Sequence, residues 1–191
     1  IPDRKNKAKF SPPLSIIIPA HNEEKYIADT INSVLSAEYK NKREVIVIDD
    51  GSVDKTRDVI ASIAKKNRNV RLLSIKHSGK SAAMNYGIKK ARYDIIVYID
   101  ADSSLAKNSL LELVMPLADK NVAISSGIIR ARQTRNPLTW FQDIEYIISS
   151  AWRYVCGKFN ATYITPGFGA FRKGPMMKIG GFSSDTLTED I

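Results

Sequence analysis

Along the first half of the chain, uninterrupted apolar runs stop abruptly in polar or acidic residues. Ile16-Ile17-Ile18 runs into Pro19-Ala20-His21-Asn22. Val45-Ile46-Val47-Ile48 runs into Asp49-Asp50-Gly51-Ser52, and Ile95-Ile96-Val97-Tyr98-Ile99 into Asp100-Ala101-Asp102. Short, β-branched runs without alternation read as strands buried on both faces. A further strand, Val70-Arg71-Leu72-Leu73-Ser74-Ile75, leads to His77-Ser78-Gly79-Lys80. Helical spacing fills the gaps, with Ile27, Ile31, Val34 and Leu35 on one face, then Val59, Ile60 and Ile63, then Ala82, Ala83, Asn85 and Ile88. Asn22 is expected to cap the first helix, with Glu23 and Glu24 in its first turn, and Asp54 the second. Strands alternating with helices predict an α/β fold: a Rossmann-like, mainly parallel sheet flanked by helices. Such sheets bind ligands outside the carboxyl ends of their strands. The four polar clusters therefore converge on one crevice.

Asp100 and Asp102 are costly neighbours unless something positive meets them. A hard cation such as Mg²⁺ or Mn²⁺ prefers oxygen ligands and also holds phosphates. The other reading of the pair is a turn that caps the next helix, since Ser103, Ser104 and the apolar Leu110, Leu111 and Val114 follow. The clusters gathered at the same edge favour the site. No Gly-x-Gly-x-x-Gly follows the first strand, and Gly79-Lys80-Ser81 lacks the upstream glycine of a Walker phosphate loop.

The 191 residues suffice for one domain with a sizeable core, and 43% apolar with 26% charged residues is a globular composition. A formal charge of +9 favours anionic partners: phosphorylated small molecules, an acidic membrane surface or nucleic acid. Without an aromatic-interleaved basic stripe, no nucleic acid is expected. Cys156, the single cysteine, excludes an internal disulfide and is expected to be a small core residue. His21 and His77 are far apart in sequence, which argues against a His-rich metal site. Residues 1–13 read as a basic, extended lead-in, either a solvated tail or a contact for anionic lipid. Residues 14–191 read as one domain. Its second half predicts a strand over 122–129 and a long helix from Pro137 to about Val155. Phe141, Ile144, Ile148, Ala151, Trp152 and Val155 share one face of that helix, expected to pack on the sheet. The other reading of that face is a surface turned to membrane or acceptor. Arg172, after the glycine-rich Gly167-Phe168-Gly169-Ala170, pairs with a carboxylate or touches phosphate.

These motifs, in this order, resemble family 2 glycosyltransferases of the GT-A fold. They are Ile-Ile-Ile-Pro-Ala-His-Asn-Glu-Glu at 16–24, Val-Ile-Asp-Asp-Gly-Ser-Val-Asp-Lys-Thr at 47–56, Gly-Lys-Ser-Ala-Ala-Met-Asn-Tyr-Gly-Ile at 79–88 and Asp-Ala-Asp at 100–102. Gly167 to Arg172 and Thr186-Leu187-Thr188-Glu189-Asp190 are similar to the membrane-associated, often processive branch: hyaluronan, cellulose, chitin and poly-N-acetylglucosamine synthases. The resemblance implies an inverting transfer of a hexosyl or N-acetylhexosaminyl group from a nucleotide-sugar donor, a UDP-sugar by preference, to a saccharide or lipid-linked acceptor. Asp50 would accept a hydrogen bond from the base, with Pro19, His21 and Glu23 lining the same pocket. Lys80 would lie near the diphosphate, Asp100 near the ribose and the metal, and Asp102 on the metal. Asp190 would be the general base. Gly167, Phe168, Gly169 and Glu189 would meet the acceptor.

The Gln-x-x-Arg-Trp motif and transmembrane helices of processive members are absent from these residues. The chain is therefore expected to be the catalytic piece of a membrane protein, truncated at its C-terminus and working at the cytoplasmic face. Two rival readings remain. A sugar nucleotidyltransferase needs a glycine-rich basic loop after the first strand, where this chain has Pro19-Ala20-His21-Asn22-Glu23. A non-catalytic nucleotide-binding module needs no Thr188-Glu189-Asp190.

Overall fold

The computed structural model describes residues 10–131, 136–157, 159 and 167–183. In chain order the elements are β1 (Leu14–Ala20), α1 (Ile27–Ser36), β2 (Arg43–Asp50), α2 (Thr56–Lys66), β3 (Val70–Ile75) and α3 (Lys80–Lys90). Then come β4 (Ile95–Ile99), α4 (Ser109–Val114) with a 3₁₀ turn at Met115–Ala118, β5 (Ile124–Ser126), α5 (Pro137–Gly157), β6 (Phe168–Arg172) and α6 (Lys173–Lys178). One sheet runs β3-β2-β1-β4-β6-β5. β3, β2, β1 and β4 are parallel, and β6 lies antiparallel to both β4 and β5. Strand order reverses at β1, so the crevice expected of such a sheet opens between the ends of β1 and β4.

Side chains alternate between two cores. Ile16, Ile18, Val45, Val47, Val97 and Ile99 meet Ile27 and Ile31 of α1, Ile60 of α2 and Leu110 of α4. On the other face Ile17, Ile46, Ile48 and Ile96 meet Ala83, Met84 and Ile88 of α3. Helices on both faces explain why the strands read as unbroken apolar runs. Gly87 lets α3 approach: a Cβ there would lie 2.7 Å from Ile17 Cγ2 and 2.9 Å from Ile48 Cδ1.

The structure corrects several expectations. Asn22 does not cap α1, which begins at Ile27. It sits at φ 57°, and its side-chain oxygen accepts the Val53 N–H at 2.9 Å, which ties the β1 loop to the β2 loop. Asp54 does serve the start of α2, accepting the Thr56 N–H at 2.9 Å. The strand expected over 122–129 shrinks to Ile124–Ser126. Beyond it the Phe168 ring fills the place of a side chain at Gly127. Among the described residues Arg172 meets backbone rather than a carboxylate. It donates to the carbonyls of Val122 and Leu117, because its end of β6 pairs with Ile95, the end of β4 remote from Asp100.

The largest departure is α5. Its apolar face does not pack on the sheet, whose faces α1 to α4 already cover. Phe141 and Trp152 are each 62% exposed, and Asp143 is the helix's buried residue. Cys156 is half-buried on the same helix rather than in a core. Asp143 anchors α5 through a two-pronged pair with Arg130, at 2.7 and 2.6 Å, and accepts the Ala131 N–H at 3.0 Å.

At the edge of the sheet away from the crevice, Glu44 is buried. It accepts from Ser15 Oγ, Arg71 and the Arg92 N–H, each at 2.7 Å. Burial pushes its carboxyl up, and the Arg92 amide, Ser15 hydroxyl and Arg71 guanidinium outweigh that, so it sits below its ordinary 4.5. A depressed folded-state pKa stabilises above the unfolded value and is lost as pH falls through the folded one. Glu44→Gln should therefore destabilise the domain at neutral pH by about 1–3 kcal/mol. The gap between variant and parent should narrow as pH drops below 4.5, followed by thermal melts across pH.

Candidate active site

The parallel register brings the expected residues together. Ala20 pairs with Asp49 and Asp50 with Ile75, so the loops after β1, β2 and β3 start side by side. Phe168 pairs with Ile99, and the Asp100 N–H donates to the Gly167 carbonyl at 3.1 Å. A cavity of about 300 Å³ results, lined by Pro19, His21, Glu23, Asp50, Lys80, Asp100 and Asp102 among others. The nucleotide- and metal-site residues read from the sequence thus share one pocket.

Asp50 is 3% exposed and works hard within the protein. One carboxylate oxygen accepts the Ser78 N–H at 2.8 Å, and the other accepts the Gly79 N–H and a His77 Nδ1 contact, both at 2.9 Å. It therefore fixes the loop that leads into α3 and aims that helix's N-terminus, with Lys80, at the cavity. A carboxylate has about four acceptor directions, so one remains for an outside donor. His21 and His77 stack beside it with ring centroids 4.1 Å apart, and each Nδ1 lies against the Asp50 carbonyl oxygen. Spacing carries no sign of this stack, since 55 residues of chain separate the two histidines and only the β1–β2–β3 register brings them together.

The acidic side is built from the loops after β1 and β4. Thr30 Oγ1 donates to the Ala101 carbonyl at 2.6 Å, and the Ser103 N–H to the Asp100 carbonyl at 3.1 Å, which set the Asp100-Ala101-Asp102 turn. Thr56 Oγ1 accepts the Glu23 N–H at 2.7 Å and holds Glu23 over the same cavity. Burial first, then the charges of Asp102, Asp54 and Asp100, push the Glu23 carboxyl above its ordinary value. Asp100 Oδ1 is buried and accepts no hydrogen bond. The Lys80 ammonium lies 3.0 Å from it, an ionic contact off hydrogen-bonding geometry.

Two groups of ligand atoms can be compared for a divalent ion. His21, Asp50 and His77 offer ligand atoms all within 4.8 Å of one another. Both Nδ1 atoms lie against the Asp50 carbonyl oxygen, at 2.8 and 3.1 Å, a contact that needs a ring N–H and so removes those nitrogens as ligands. Glu23, Asp100 and Asp102 supply oxygen ligands to one cavity, with the Lys80 ammonium 3.0 Å from Asp100 Oδ1 as the nearby cation. The carboxylates fit a hard cation better.

The glycines expected at the acceptor divide. Gly167 has φ 86°, and a Cβ there would lie 2.6 Å from Asp100 Oδ2, so glycine is required for the turn to close on the aspartate. At Gly169 the Tyr98 ring occupies the space, 2.5 Å from a built Cβ, so that glycine serves packing within the sheet. Phe168 borders a second cavity of about 950 Å³ that also touches Asp100 and Asp102. Glu189 and Asp190 lie outside the described residues. Sequence reading also missed Asn85. It donates to the Phe182 carbonyl at 2.8 Å and accepts the Phe182 N–H at 2.9 Å, clamping the turn after α6.

The family model for glycosyl transferase family 2 matches residues 15–180. A poly-beta-1,6-N-acetyl-D-glucosamine synthase of Staphylococcus epidermidis is 32% identical over 184 residues, which are 93% of this chain and 44% of that protein. One from Staphylococcus aureus (strain COL) is 31% identical over 183 residues, again 93% and 44%. The chain thus spans less than half the length of these curated relatives. Among solved structures, the mannosyltransferase PcManGT of Pyrobaculum calidifontis, in complex with GDP-Man and Mn²⁺, aligns with a TM-score of 0.76 at 23% identity, over 96% of this chain and 51% of that one. Staphylococcus aureus TarS 1-349 aligns with a TM-score of 0.65 at 17% identity, over 93% and 52%. These two likenesses establish the GT-A fold. With the family match over most of its length, the chain belongs to glycosyl transferase family 2.

Proposed function

We propose that this chain transfers a sugar from a nucleoside-diphosphate sugar, a UDP-sugar by preference, to a hydroxyl of a saccharide or lipid-linked acceptor. The observation that carries the reading is the set of carboxylates Glu23, Asp100 and Asp102 that line one cavity, whose other wall holds Asp50 and Lys80. The likeness to poly-N-acetylglucosamine synthases supports an N-acetylhexosamine as the sugar. It also supports polysaccharide synthesis, which the resemblance of 167–172 and 186–190 to the membrane-associated branch would set at the cytoplasmic face of a membrane. No helix among the described residues is long and apolar enough to cross a membrane.

Each residue has a chemical task in this reading. The free acceptor direction of Asp50 takes an N–H of the base, beside Pro19 and His21. Lys80 and the N-terminus of α3 face the diphosphate, as positive groups suited to it. Asp102 and Asp100, with Glu23 near, would hold Mg²⁺ or Mn²⁺, which when bound supplies counter-charge for the departing diphosphate. Asp190, assigned by resemblance, takes the proton of the acceptor hydroxyl while its oxygen attacks the anomeric carbon and the bond to the diphosphate breaks. Direct displacement turns an α-linked donor into a β-glycoside. A nucleotidyltransferase would need a triphosphate loop after β1. The loop there is instead tied to the β2 loop through Asn22 and Glu23.

Calorimetry with UDP and GDP, with and without Mn²⁺, should give metal-dependent binding of UDP. Absence of binding to either nucleotide sinks the transferase reading for this chain. Asp102→Asn should remove the Mn²⁺ dependence and leave thermal stability close to the parent's. In the full-length protein, Asp190→Asn should lower transfer by about 10²-fold or more while nucleotide affinity is kept. Retained turnover would dismiss Asp190 as the base.

A further inference from the structure

Helix α5 is amphipathic the wrong way round for a helix of a globular domain. Trp140, Phe141, Ile148 and Trp152 are exposed. Gln142, Glu145, Tyr146, Ser149 and Arg153 instead line the second cavity. Their spacing places them on one face. Tyr146, Ser149 and Arg153 are half-buried there, with the exposed Gln142 and Glu145 beside them, while these apolar residues of the helix face away.

The interior of that cavity is chemically mixed. Ser103, Ser104 and Ser109 line it across from α5, and Ile99, Ile129 and Phe168 provide apolar surface. The polar side chains of α5 are held in place by one another: Gln142 Nε2 donates to Tyr146 Oη at 3.0 Å, and Arg153 to Ser149 Oγ at 3.0 Å and Ser150 Oγ at 2.9 Å. Asp143 and Arg130 pin the helix at a fixed distance from the sheet. Sites that bind specifically pair apolar and aromatic walls with a few ordered polar groups, in volumes of about 300–1,000 Å³. Sugars present C–H faces and a rim of hydroxyls, and this surface matches both. The cavity also shares Asp100 and Asp102 with the smaller one. A molecule lying in it would therefore end beside the carboxylates.

We propose that the inward polar face of α5, with Tyr146, Ser149 and Arg153 at its centre, is a binding wall for the acceptor saccharide chain. This rests on the transferase reading, and names the surface that presents the acceptor to the donor pocket. Tyr146 offers its ring to a sugar face, and Ser149 and Arg153 offer hydrogen bonds to the rim. These are binding residues, remote from the reacting bond.

The test uses β-1,6-linked N-acetylglucosamine tetramer as probe, followed by ligand-detected NMR, with UDP and Mn²⁺ affinities measured on the same samples. Ser149→Trp, which fills the cavity, and Tyr146→Ala should each weaken tetramer binding by about tenfold or more, a loss of about 1.4 kcal/mol. UDP affinity should stay within about twofold, below 0.5 kcal/mol by the same arithmetic. Tyr146→Phe should retain most of the tetramer affinity, and Trp152→Ser, on the outward face, all of it. Circular dichroism of each variant separates a lost contact from a lost helix, and Tyr146→Phe keeps the test decisive if Tyr146→Ala unfolds. Tetramer binding unchanged in Ser149→Trp, or no tetramer binding by a protein that binds UDP, overturns the proposal and leaves the transferase reading standing. Failure of UDP and Mn²⁺ to bind, with tetramer binding still lost in Ser149→Trp, does the reverse.

Discussion

Like charges gathered in one place need a cause. Glu23, Asp100 and Asp102 come from the loops after β1 and β4 and meet in a single cavity. Burial, and then the charges of Asp102, Asp54 and Asp100, raise the proton affinity of Glu23, and Asp100 Oδ1 is buried with the Lys80 ammonium beside it. Lys80 offsets part of this charge. Everything else at that edge of the sheet keeps the arrangement from relaxing. Asp50 holds the loop before α3, Thr30 and Gly167 hold the turn at Asp100, and Thr56 holds Glu23. A cluster kept together against its own repulsion is preorganised for a cation and the phosphates that accompany one.

Much of this was legible in the sequence because parallel sheets write plainly. Unbroken runs such as Val45-Ile46-Val47-Ile48 can only be strands covered on both faces, and the rule that ligands gather at strand carboxyl ends then places Asp50, Lys80 and Asp102 together. Spacing alone could not report what depends on register between strands. The stack of His21 on His77, the double duty of Asp50 and the clamp of Asn85 on Phe182 join residues that only the folded sheet makes neighbours. Asn22 misled for a related reason. A residue that looks like a cap was better used at positive φ, to lace one loop to the next.

The α5 helix shows where periodicity runs out. Its apolar spacing correctly predicts a helix and leaves open which side faces the domain. Packing decided that: α1, α2 and α4 cover one face of the sheet and α3 the other, and α5 is attached beyond them with Phe141 and Trp152 outward. The face bearing Tyr146, Ser149 and Arg153 turned to the cavity, and buried Asp143, paired with the exposed Arg130, became the attachment. Removing Arg130 is the costly side, because the Asp143 carboxylate is the partner that stays buried. The helix and the aspartates thereby line one cavity.

The central claim is that the carboxylates, rather than the His21–Asp50–His77 group, take the divalent ion. Crystals grown with UDP and Mn²⁺, measured at the manganese absorption edge, locate that ion without reference to any assumed chemistry. The account predicts one anomalous peak beside Asp102 and Asp100, with the nucleotide's diphosphate next to it. A peak among His21, Asp50 and His77, or bound UDP with no peak at the aspartates, would contradict it.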